Sequence, residues 1–191
     1  MEITIRDCRK EDASSVARLI MMAWPVEEFL AMDPSLTLES LHERIRRYVE
    51  ADNTLYSYVN TIVAVADDKV CGAINGYDGA SYERLKQPII DDLSVFRNSP
   101  NDFSKVKETG PGEYYLDSIG VDPSMRSHGI GSRLFEAVFI KAREAGFSKV
   151  GLLVDVDKPK AEALYKRLGF TLAGTKDFFG HEMKHMQKDL L

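Results

Sequence analysis

A short, almost entirely apolar run, FSKVGLLVD (147–155), lies between two segments with the apolar spacing of amphipathic helices. Such a run is typical of a strand that is buried on both faces, which requires helices on both sides of a sheet. Strand-like and helical segments follow one another in the order β-α-α-β-β-excursion-β-α-β-α-β-β. The sequence therefore predicts an α/β fold with helices packed against a mixed sheet, and the strand at 113–121 is expected near its centre.

The length and charge of the chain exclude several classes of protein. With 191 residues we expect a single domain (1–191), in which residues 79–110 form an insertion. The net charge of -5 argues against a nucleic-acid partner, which needs a basic surface. No apolar run approaches the roughly 20 residues that cross a bilayer. Since the N-terminus also has no basic leader followed by an apolar region, we expect a cytoplasmic protein without a membrane partner.

The stretch VDPSMRSHGIGSRLFEA (121–137) places two glycines between the central strand and a long amphipathic helix. A helix N-terminus offers free N–H groups and a partial positive charge, and glycines before it let a phosphate approach the backbone. Basic residues outnumber acidic ones around this loop, although the whole chain is acidic. An anionic ligand is therefore indicated at Gly129 and Gly131. The alternative is that these glycines only permit a tight turn and close packing of the helix on the sheet.

Two other phosphate-binding loops compete for this stretch. A Walker loop needs Gly-Lys-Ser or Gly-Lys-Thr, and the chain has no such triplet. A dinucleotide fingerprint needs a third glycine, where this chain has Leu134, although Asp155 lies where a ribose-binding acid would be expected. The loop also lies late in the chain with no second nucleotide-binding half after it, which disfavours the dinucleotide interpretation.

Two blocks of the sequence, VDPSMRSHGIGSRLFEA (121–137) and KAEALYKRLGF (160–170), together resemble the GNAT superfamily of acyl-CoA-dependent N-acetyltransferases. The family's Q/R-x-x-G-x-G/A loop is matched by Arg126-Ser127-His128-Gly129-Ile130-Gly131. Its A-x-x-L-Y-x-x-x-G-F block is matched at Ala161, Leu164, Tyr165, Gly169 and Phe170. Both blocks occur in the family's order and at its usual separation, so the pair is a specific signal.

The resemblance implies the fold, the cosubstrate and the residues that bind it. The expected fold is a mixed, mostly antiparallel sheet of about seven strands flanked by helices, with a helical excursion between the third and fourth strands. The implied cosubstrate is acetyl-CoA, whose pyrophosphate would lie on the loop and whose pantetheine arm would pair with the edge of the central strand. The implied contacts are Ile119, Val121, Arg126, Ser127, His128, Gly129, Ile130, Gly131, Ser132 and Lys158. Lys158 departs from the family, which often has Asn there.

The implied reaction, direct transfer of an acetyl group to an amine in a ternary complex, has two proton transfers. An amine with a pKa of about 10 must lose a proton before it attacks. Asp117 is the first candidate base, and Glu113, on the same face of the strand, is the second. The alternative for Asp117 is a hydrogen-bond acceptor for neighbouring loops. By resemblance, Tyr165 is the general acid that protonates the leaving thiolate; a core aromatic is the alternative.

Several other residues are given no catalytic function. Cys8 and Cys71 lie in no motif with a base, so no covalent acyl-enzyme is expected. His181 and His185 share one face of a predicted strand without a nearby set of carboxylates or cysteines, so no metal is expected. His128 is interpreted as a solvated loop position. A homodimer stays open, as does the alternative function of a catalytically idle acyl-CoA-binding sensor.

The insertion at 79–110 is expected to form an ordered flap over the acceptor side of the cleft. It contains a probable amphipathic helix (81–97) and is longer than the usual family connection, and long loops are often functional. Its acids Glu83, Asp91 and Asp92 could favour a cationic amine. The alternative is a solvated helix face without a function in substrate binding.

Overall fold

The structure, a computed structural model, describes residues 2–93, 103–178 and 180–190. The strands are β1 (Ile3–Asp7), β2 (Thr61–Ala66), β3 (Lys69–Asp78), β4 (Tyr114–Val121), β5 (Lys149–Asp155), β6 (Thr171–Phe178) and β7 (His181–Asp189). The helices are α1 (Ala13–Met21), α2 (Val26–Met32), α3 (Leu38–Glu50), α4 (Tyr82–Asp92), α5 (Ile130–Glu144) and α6 (Pro159–Arg167). Within the described residues, no helix is long and apolar enough to cross a bilayer.

Local signals in the sequence explain most of these boundaries. The β2–β3 hairpin turns at Asp67 and Asp68, whose φ angles of 47° and 61° suit a two-residue turn. Helix α5 ends before Gly146, which has a φ of 86°. The N-cap of helix α6 is Lys158, because Pro159 fixes the first helical position.

The sheet has the strand order β1-β2-β3-β4-β5-β7-β6, which places β4 in the middle. All neighbouring strands are antiparallel except β4 and β5. This confirms the mixed, mostly antiparallel sheet of seven strands. It also excludes the dinucleotide interpretation, because that fold requires a mostly parallel, doubly wound sheet.

Helices cover both faces of the sheet and form two buried clusters. Helices α1 to α4 contribute to one cluster, and α5 and α6 pack on the other face. The described residues of the 79–110 insertion belong to the first cluster, since Tyr82, Leu85, Ile89 and Ile90 of α4 are all buried in it. The end of the predicted helix, from residue 94, lies outside the described residues. Helix α4 is thus packed as core, which differs from a flap that covers the surface.

Close approach of helix α1 to strand β4 depends on Gly120. A Cβ atom at this position would lie 2.7 Å from the backbone oxygen of Leu19, which cannot move without moving α1. We expect Gly120→Ala to lower the free energy of unfolding by about 1–3 kcal/mol, the usual cost of overpacking. Urea denaturation measures this. The control is Gly131→Ala, where a Cβ has open space and the free energy should not fall; equal stability of the two variants would contradict the packing argument.

Candidate active site

Strands β4 and β5 separate after a short paired region. They are paired only through Tyr114 opposite Val150 and Tyr115 opposite Gly151. From there β4 continues along β3 to Val121, whereas β5 continues along β7 to Asp155. Because the two strands are parallel, a gap opens toward their C-terminal ends, and the loop at 122–129 lies at its mouth.

The backbone of β4 directs N–H groups into this gap. The N–H of Asp122 donates to Cys71 O of β3 at 2.9 Å, on the side of β4 away from the gap. Because successive N–H groups of a strand alternate in direction, those of Val121 and Ile119 point toward the gap. The Ile119 and Val121 side chains pack against the α5 face. The backbone N–H groups of these two residues therefore lie at the edge of β4 that the family resemblance assigns to the pantetheine arm.

The loop between β4 and α5 has two residues in the left-handed conformation. Ser127 has a φ of 65° and Gly129, the N-cap of α5, has a φ of 73°. His128 lies exposed between them, with Nδ1 2.9 Å from the backbone oxygen of Arg126. The side chain of Ile130 is fully buried, which anchors the helix start while Arg126, Ser127 and Ser132 stay exposed. The free N–H groups of the first helical turn therefore face solvent.

The structure does not support a packing function for Gly131. A Cβ at Gly131 would meet no heavy atom of the described residues within 4 Å beyond its chain neighbours and its own helix turn. Close packing of α5 on the sheet instead depends on Gly72, where a Cβ would lie 2.9 Å from Ile130 Cγ2. Gly131 has no positive φ that would require glycine. Nothing within the described protein thus explains its missing side chain, whereas a ligand at the helix N-terminus would.

A β-bulge in β4 brings Asp117 and Ser118 to the same side of the sheet. Ser118 pairs with Asn75 and Leu116 pairs with Gly76, so Asp117 is the extra residue. Asp117 bonds to Tyr77, and Ser118 lies beside α1, although consecutive strand residues normally point to opposite faces. Bulges commonly re-aim side chains next to active sites. The face opposite α5 therefore carries the first candidate base.

Tyrosine hydroxyls surround the carboxyl group of Asp117. Tyr77 donates to Oδ2 at 2.6 Å, and Tyr56 is a second hydrogen-bond partner. Tyr56 in turn accepts a hydrogen bond of 3.2 Å from Trp24 Nε1. Burial raises the pKa of Asp117, and the tyrosine hydrogen bonds only partly oppose this effect. A carboxyl group with a raised pKa is suited to general base catalysis near neutral pH.

A second carboxyl group, Glu108 of the insertion, lies close enough to Asp117 to interact with its charge. Tyr115 donates to Glu108 Oε2 at 2.7 Å and Tyr82 donates to Oε1 at 3.0 Å. Burial and the negative charge of Asp117 raise the pKa of Glu108. Sequence reasoning missed Glu108, because it lies in a polar segment without periodicity or motif.

The acids that the sequence suggested for the insertion have other partners. Glu83 forms an ion pair of 2.9 Å with Lys86, and Asp92 forms one of 3.0 Å with Arg44. Asp91 accepts a hydrogen bond from Gln87 at 2.9 Å. The acid of the insertion that lies near Asp117 is therefore Glu108, which was not among the three acids named from the sequence.

Glu113 lies at the closed end of the gap, directly before β4. Its carboxylate accepts hydrogen bonds from Thr109 at 2.6 Å and Gln187 at 2.7 Å, and His185 Nε2 lies at 2.9 Å. It reaches them across Gly151, where a side chain would overlap with it. Burial raises the pKa of Glu113, but the hydrogen bonds outweigh burial and the net pKa is lowered. Because its lone pairs are engaged, Glu113 is a weaker candidate base than Asp117.

Tyr165 lies on the opposite side of the sheet from Asp117. Its ring packs against Phe135 and Phe170, each with a centroid distance of 6.0 Å. Within the described residues its hydroxyl has no hydrogen-bond partner, and burial raises its pKa, so the phenol stays protonated. Lys158, at the start of the same helix, is exposed. The ring is thus part of the core while the hydroxyl is available to a ligand.

His185 Nε2 lies 2.9 Å from Glu113 Oε2, so a single carboxylate contacts this histidine. His181 Nδ1 lies 4.0 Å from Asp155 Oδ2. Among the described residues, no group of three or more His, Cys, Asp or Glu side chains is arranged to hold a metal ion.

The family of the chain can be decided by comparison with known proteins. The sequence model of the Acetyltransferase (GNAT) family matches residues 18–170, which is most of the chain and includes the gap, the loop and Tyr165. The chain belongs to the GNAT family. A crystal structure described as that of an acetyltransferase superposes on this GNAT protein with a TM-score of 0.77 at 30% identity, covering 98% of this chain and 100% of the other.

Curated relatives of this GNAT protein match over part of their length. N-alpha-acetyltransferase RimI of Mycobacterium tuberculosis is 38% identical over 73 residues, which cover 38% of this chain and 44% of RimI. A mycothiol acetyltransferase of Brachybacterium faecium is 28% identical over 149 residues, covering 74% of this chain and 44% of that protein. The matched part of this chain spans less than half the length of each of these relatives.

Proposed function

We propose that the protein transfers an acetyl group from acetyl-CoA to an amine by direct attack in a ternary complex. The observation that carries this proposal is Gly131, whose missing side chain has no explanation inside the described protein. A pyrophosphate on the free N–H groups of the first turn of α5 would occupy that space. The N–H groups of Ile119 and Val121 would pair with the pantetheine arm in the gap.

On the acceptor side, Asp117 would remove the proton of the amine. The acceptor arrives as an ammonium ion, and Asp117 takes one proton from it, directly or through a water. The nitrogen lone pair then attacks the acetyl carbonyl carbon, which forms the C–N bond. Because negative charge develops on the carbonyl oxygen, the N–H of Ile119 would stabilise it. The C–S bond breaks and the thiolate leaves.

Tyr165 would protonate the leaving thiolate. Its hydroxyl is protonated, has no partner among the described residues, and lies on the helix that follows β5 at the gap. The thiol that forms has a pKa of about 8.5, so the thiolate is already a good leaving group. Protonation therefore contributes less here than removal of the proton from the amine.

We expect Tyr165→Phe to lower kcat about a hundredfold, at the lower end of the usual range for general acid catalysis. The KM for acetyl-CoA should change little, and the melting temperature should be kept because the ring retains its contacts with Phe135 and Phe170. Steady-state kinetics measure both constants. Tyr58→Phe is the control, since Tyr58 lies away from the gap, with its ring centroid 5.4 Å from Lys10 Nζ. A wild-type kcat for Tyr165→Phe would assign Tyr165 to packing alone.

The acceptor is proposed to be a cationic amine. An open depression of about 350 Å³ is lined by Trp24, Pro25, Val26, Glu27 and Glu28, and Trp24 connects it through Tyr56 to Asp117. Its acids and aromatic ring would favour a positive charge. A homodimer stays a prediction.

A turnover screen separates this function from an idle acyl-CoA-binding module. Release of the CoA thiol is followed with polyamines, amino acids, aminoglycosides and peptide N-termini as acceptors. The proposed enzyme shows acceptor-dependent release that saturates with one class of amine. Binding of acetyl-CoA in calorimetry without release for any amine would favour the sensor, and absence of both would contradict the proposed function.

A further inference from the structure

Strand pairing does not fix the side chain of Asp117. Asp117 is the extra residue of the bulge in β4, so no residue of β3 lies opposite it. On the other side of β4, the pairing with β5 ends at Tyr115, opposite Gly151. The extra residue of a bulge is left out of the regular ladder, and here it also lies beside a widening gap. The orientation of the Asp117 carboxyl group therefore depends on contacts with other side chains.

The hydroxyl group of Tyr77 makes a short contact with this carboxyl group. It donates to Asp117 Oδ2 at 2.6 Å, a distance typical of an O–H donor on a charged oxygen. Burial raises the pKa of Tyr77, so the phenol keeps its proton. A tyrosine hydroxyl has one proton to donate, and this donor is therefore committed to Asp117.

Tyr77 is itself held by packing on the same face of the sheet. Its side chain is 2% exposed, and it lies opposite Tyr115 in the pairing of β3 with β4. The centroids of these two rings are 5.9 Å apart, and the Tyr115 hydroxyl donates in turn to Glu108 Oε2 at 2.7 Å. The donor that contacts Asp117 is thus carried by a buried ring with a fixed position.

We propose that Tyr77 is a positioning residue of the acetyl transfer, which holds the Asp117 carboxylate through Oδ2 and leaves other lone pairs of the carboxylate for the proton of the amine. An ionised carboxylate has about four lone-pair positions, of which two tyrosine hydroxyls use at most two. This role rests on the proposed function, in which Asp117 is the base. The titratable groups that act on Asp117 from the surrounding elements are Tyr56, Tyr77, Tyr82, Glu108 and Tyr115.

The hydrogen bond from Tyr77 has two effects on Asp117, and they act on the rate in opposite directions. A donor to the charged form lowers the pKa of Asp117, so loss of the donor should make Asp117 a stronger base. Loss of the fixed orientation should instead lower kcat, even at a pH where Asp117 is fully ionised. We therefore expect Tyr77→Phe to combine a higher midpoint of Asp117 with a lower kcat. Tuning of basicity alone would not lower kcat, and packing alone would not move the midpoint.

The contact can be measured without knowing the acceptor. In the full-length protein with ¹³C-labelled Asp carboxyl carbons, the Asp117 signal is the one that is absent from Asp117→Asn. In Tyr77→Phe its NMR titration midpoint should rise by about one unit, a tenfold increase in proton affinity, as expected for loss of a hydrogen bond to a charged group. Tyr114→Phe is the matched control, because Tyr114 is also buried and donates at 2.6 Å to Gly76 O, on the α5 face. It should leave the midpoint unchanged.

The turnover experiment uses the acceptor found in the screen. At a pH where Asp117 is ionised in both proteins, kcat of Tyr77→Phe should be about tenfold lower than that of the wild type, since small displacements of a catalytic group are costly. The Kd for CoA in calorimetry should not change, and Tyr114→Phe should keep its kcat. A wild-type kcat for Tyr77→Phe under these conditions would overturn the proposal, as would an unchanged midpoint of Asp117.

A further measurement needs no variant of Tyr77 to fold. In the wild type with ¹³C-labelled tyrosine Cζ, one tyrosine signal should follow the titration of Asp117, and absence of any such signal would also overturn the proposal. The two proposals can fail separately. If the wild type acetylates an amine and Tyr77→Phe does so equally well, only the positioning role fails. If the midpoint of Asp117 rises in Tyr77→Phe but the wild type acetylates no amine, the hydrogen bond is established and the proposed function fails.

Discussion

Gly131→Val is expected to give a folded protein that has lost measurable CoA binding. The new side chain would project into the open space at the N-terminus of α5, where it meets no protein atom of the described residues but would displace a pyrophosphate. Phosphate contacts through several backbone N–H groups are lost together, so we expect the Kd for CoA to rise more than about a hundredfold, or by about 3 kcal/mol. Isothermal titration calorimetry with CoA measures this.

Two further variants make the result specific to this position. Gly131→Ala adds a single methyl group and should weaken binding less than valine, with no loss of stability. Gly174→Val is the control, because Gly174 also has open space and no positive φ, but lies on β6. If Gly131→Val binds CoA with wild-type affinity, the loop at 126–132 does not hold the pyrophosphate, and the argument from the missing side chain is wrong.

Asp117→Asn is expected to lower kcat about a thousandfold, in the upper part of the range for general base catalysis, because an amine with a pKa of about 10 must be deprotonated. Asparagine has the same shape and can still accept the hydrogen bond from Tyr77. The KM for acetyl-CoA should change little, because the loop lies at the other end of the gap. Stopped and continuous assays with the acceptor found in the screen measure these constants.

The direction in which kcat/KM changes with pH follows from the pKa of Asp117. Asp117 acts as a base only when it is ionised, and burial raises its pKa. The wild-type kcat/KM should therefore rise with pH through a midpoint above the ordinary value for Asp of about 3.9, and this limb should be absent from Asp117→Asn. Asp91→Asn, in the insertion, is the matched control.

The free energy of unfolding of Asp117→Asn distinguishes a catalytic base from a side chain that only accepts hydrogen bonds. A buried acid with a raised pKa binds its proton more tightly in the folded state, so its contribution to stability is lost as pH rises. Replacing Asp117 by neutral Asn should then leave the free energy of unfolding at neutral pH unchanged or higher. A clear loss of stability together with wild-type kcat would mean that Asp117 only accepts hydrogen bonds from its neighbours.

Periodicity and turn residues predicted most of the fold. The seven strands and helices α1, α3, α5 and α6 occur in the order that apolar spacing and the positions of glycine and proline predicted, because these signals are local properties of the chain. Helix α2 was not predicted from the sequence, because it is only seven residues long and has a single buried residue, Phe29. The strand order could be anticipated only through the family resemblance.

The candidate site was harder to predict, because it depends on contacts between distant segments. Alternation along β4 correctly places Tyr115 and Asp117 on one side, but the bulge also turns Ser118 to that side, and no residue in the sequence marks it. Glu108 lies near Asp117 because the neighbouring residue Val106 is held on α4, where the buried Lys86 donates a hydrogen bond to its backbone oxygen. A buried lysine inside a polar-looking helix cannot be recognised from spacing alone.

The packing of the insertion also changes how its function can be tested. Replacing residues 79–110 by a short linker would remove the core side chains of α4 together with Glu108. A change in acceptor KM in such a protein could arise from lost stability as easily as from a lost acceptor contact. Single substitutions at Glu108 therefore test the insertion better than its deletion does.

The contacts of Glu113 with β7 join the two halves of the sheet at the closed end of the gap. The sheet consists of a four-stranded plate and a three-stranded plate that are joined by two residue pairs between β4 and β5. Glu113 fastens the plates at this joint by reaching over Gly151 to His185 and Gln187 of β7. A small rotation about this joint would change the width of the gap at the loop and would leave the strand pairs within each plate intact. The stiffness of the cleft would then depend on its closed end, where the Glu113 carboxylate of one plate is held by side chains of the other.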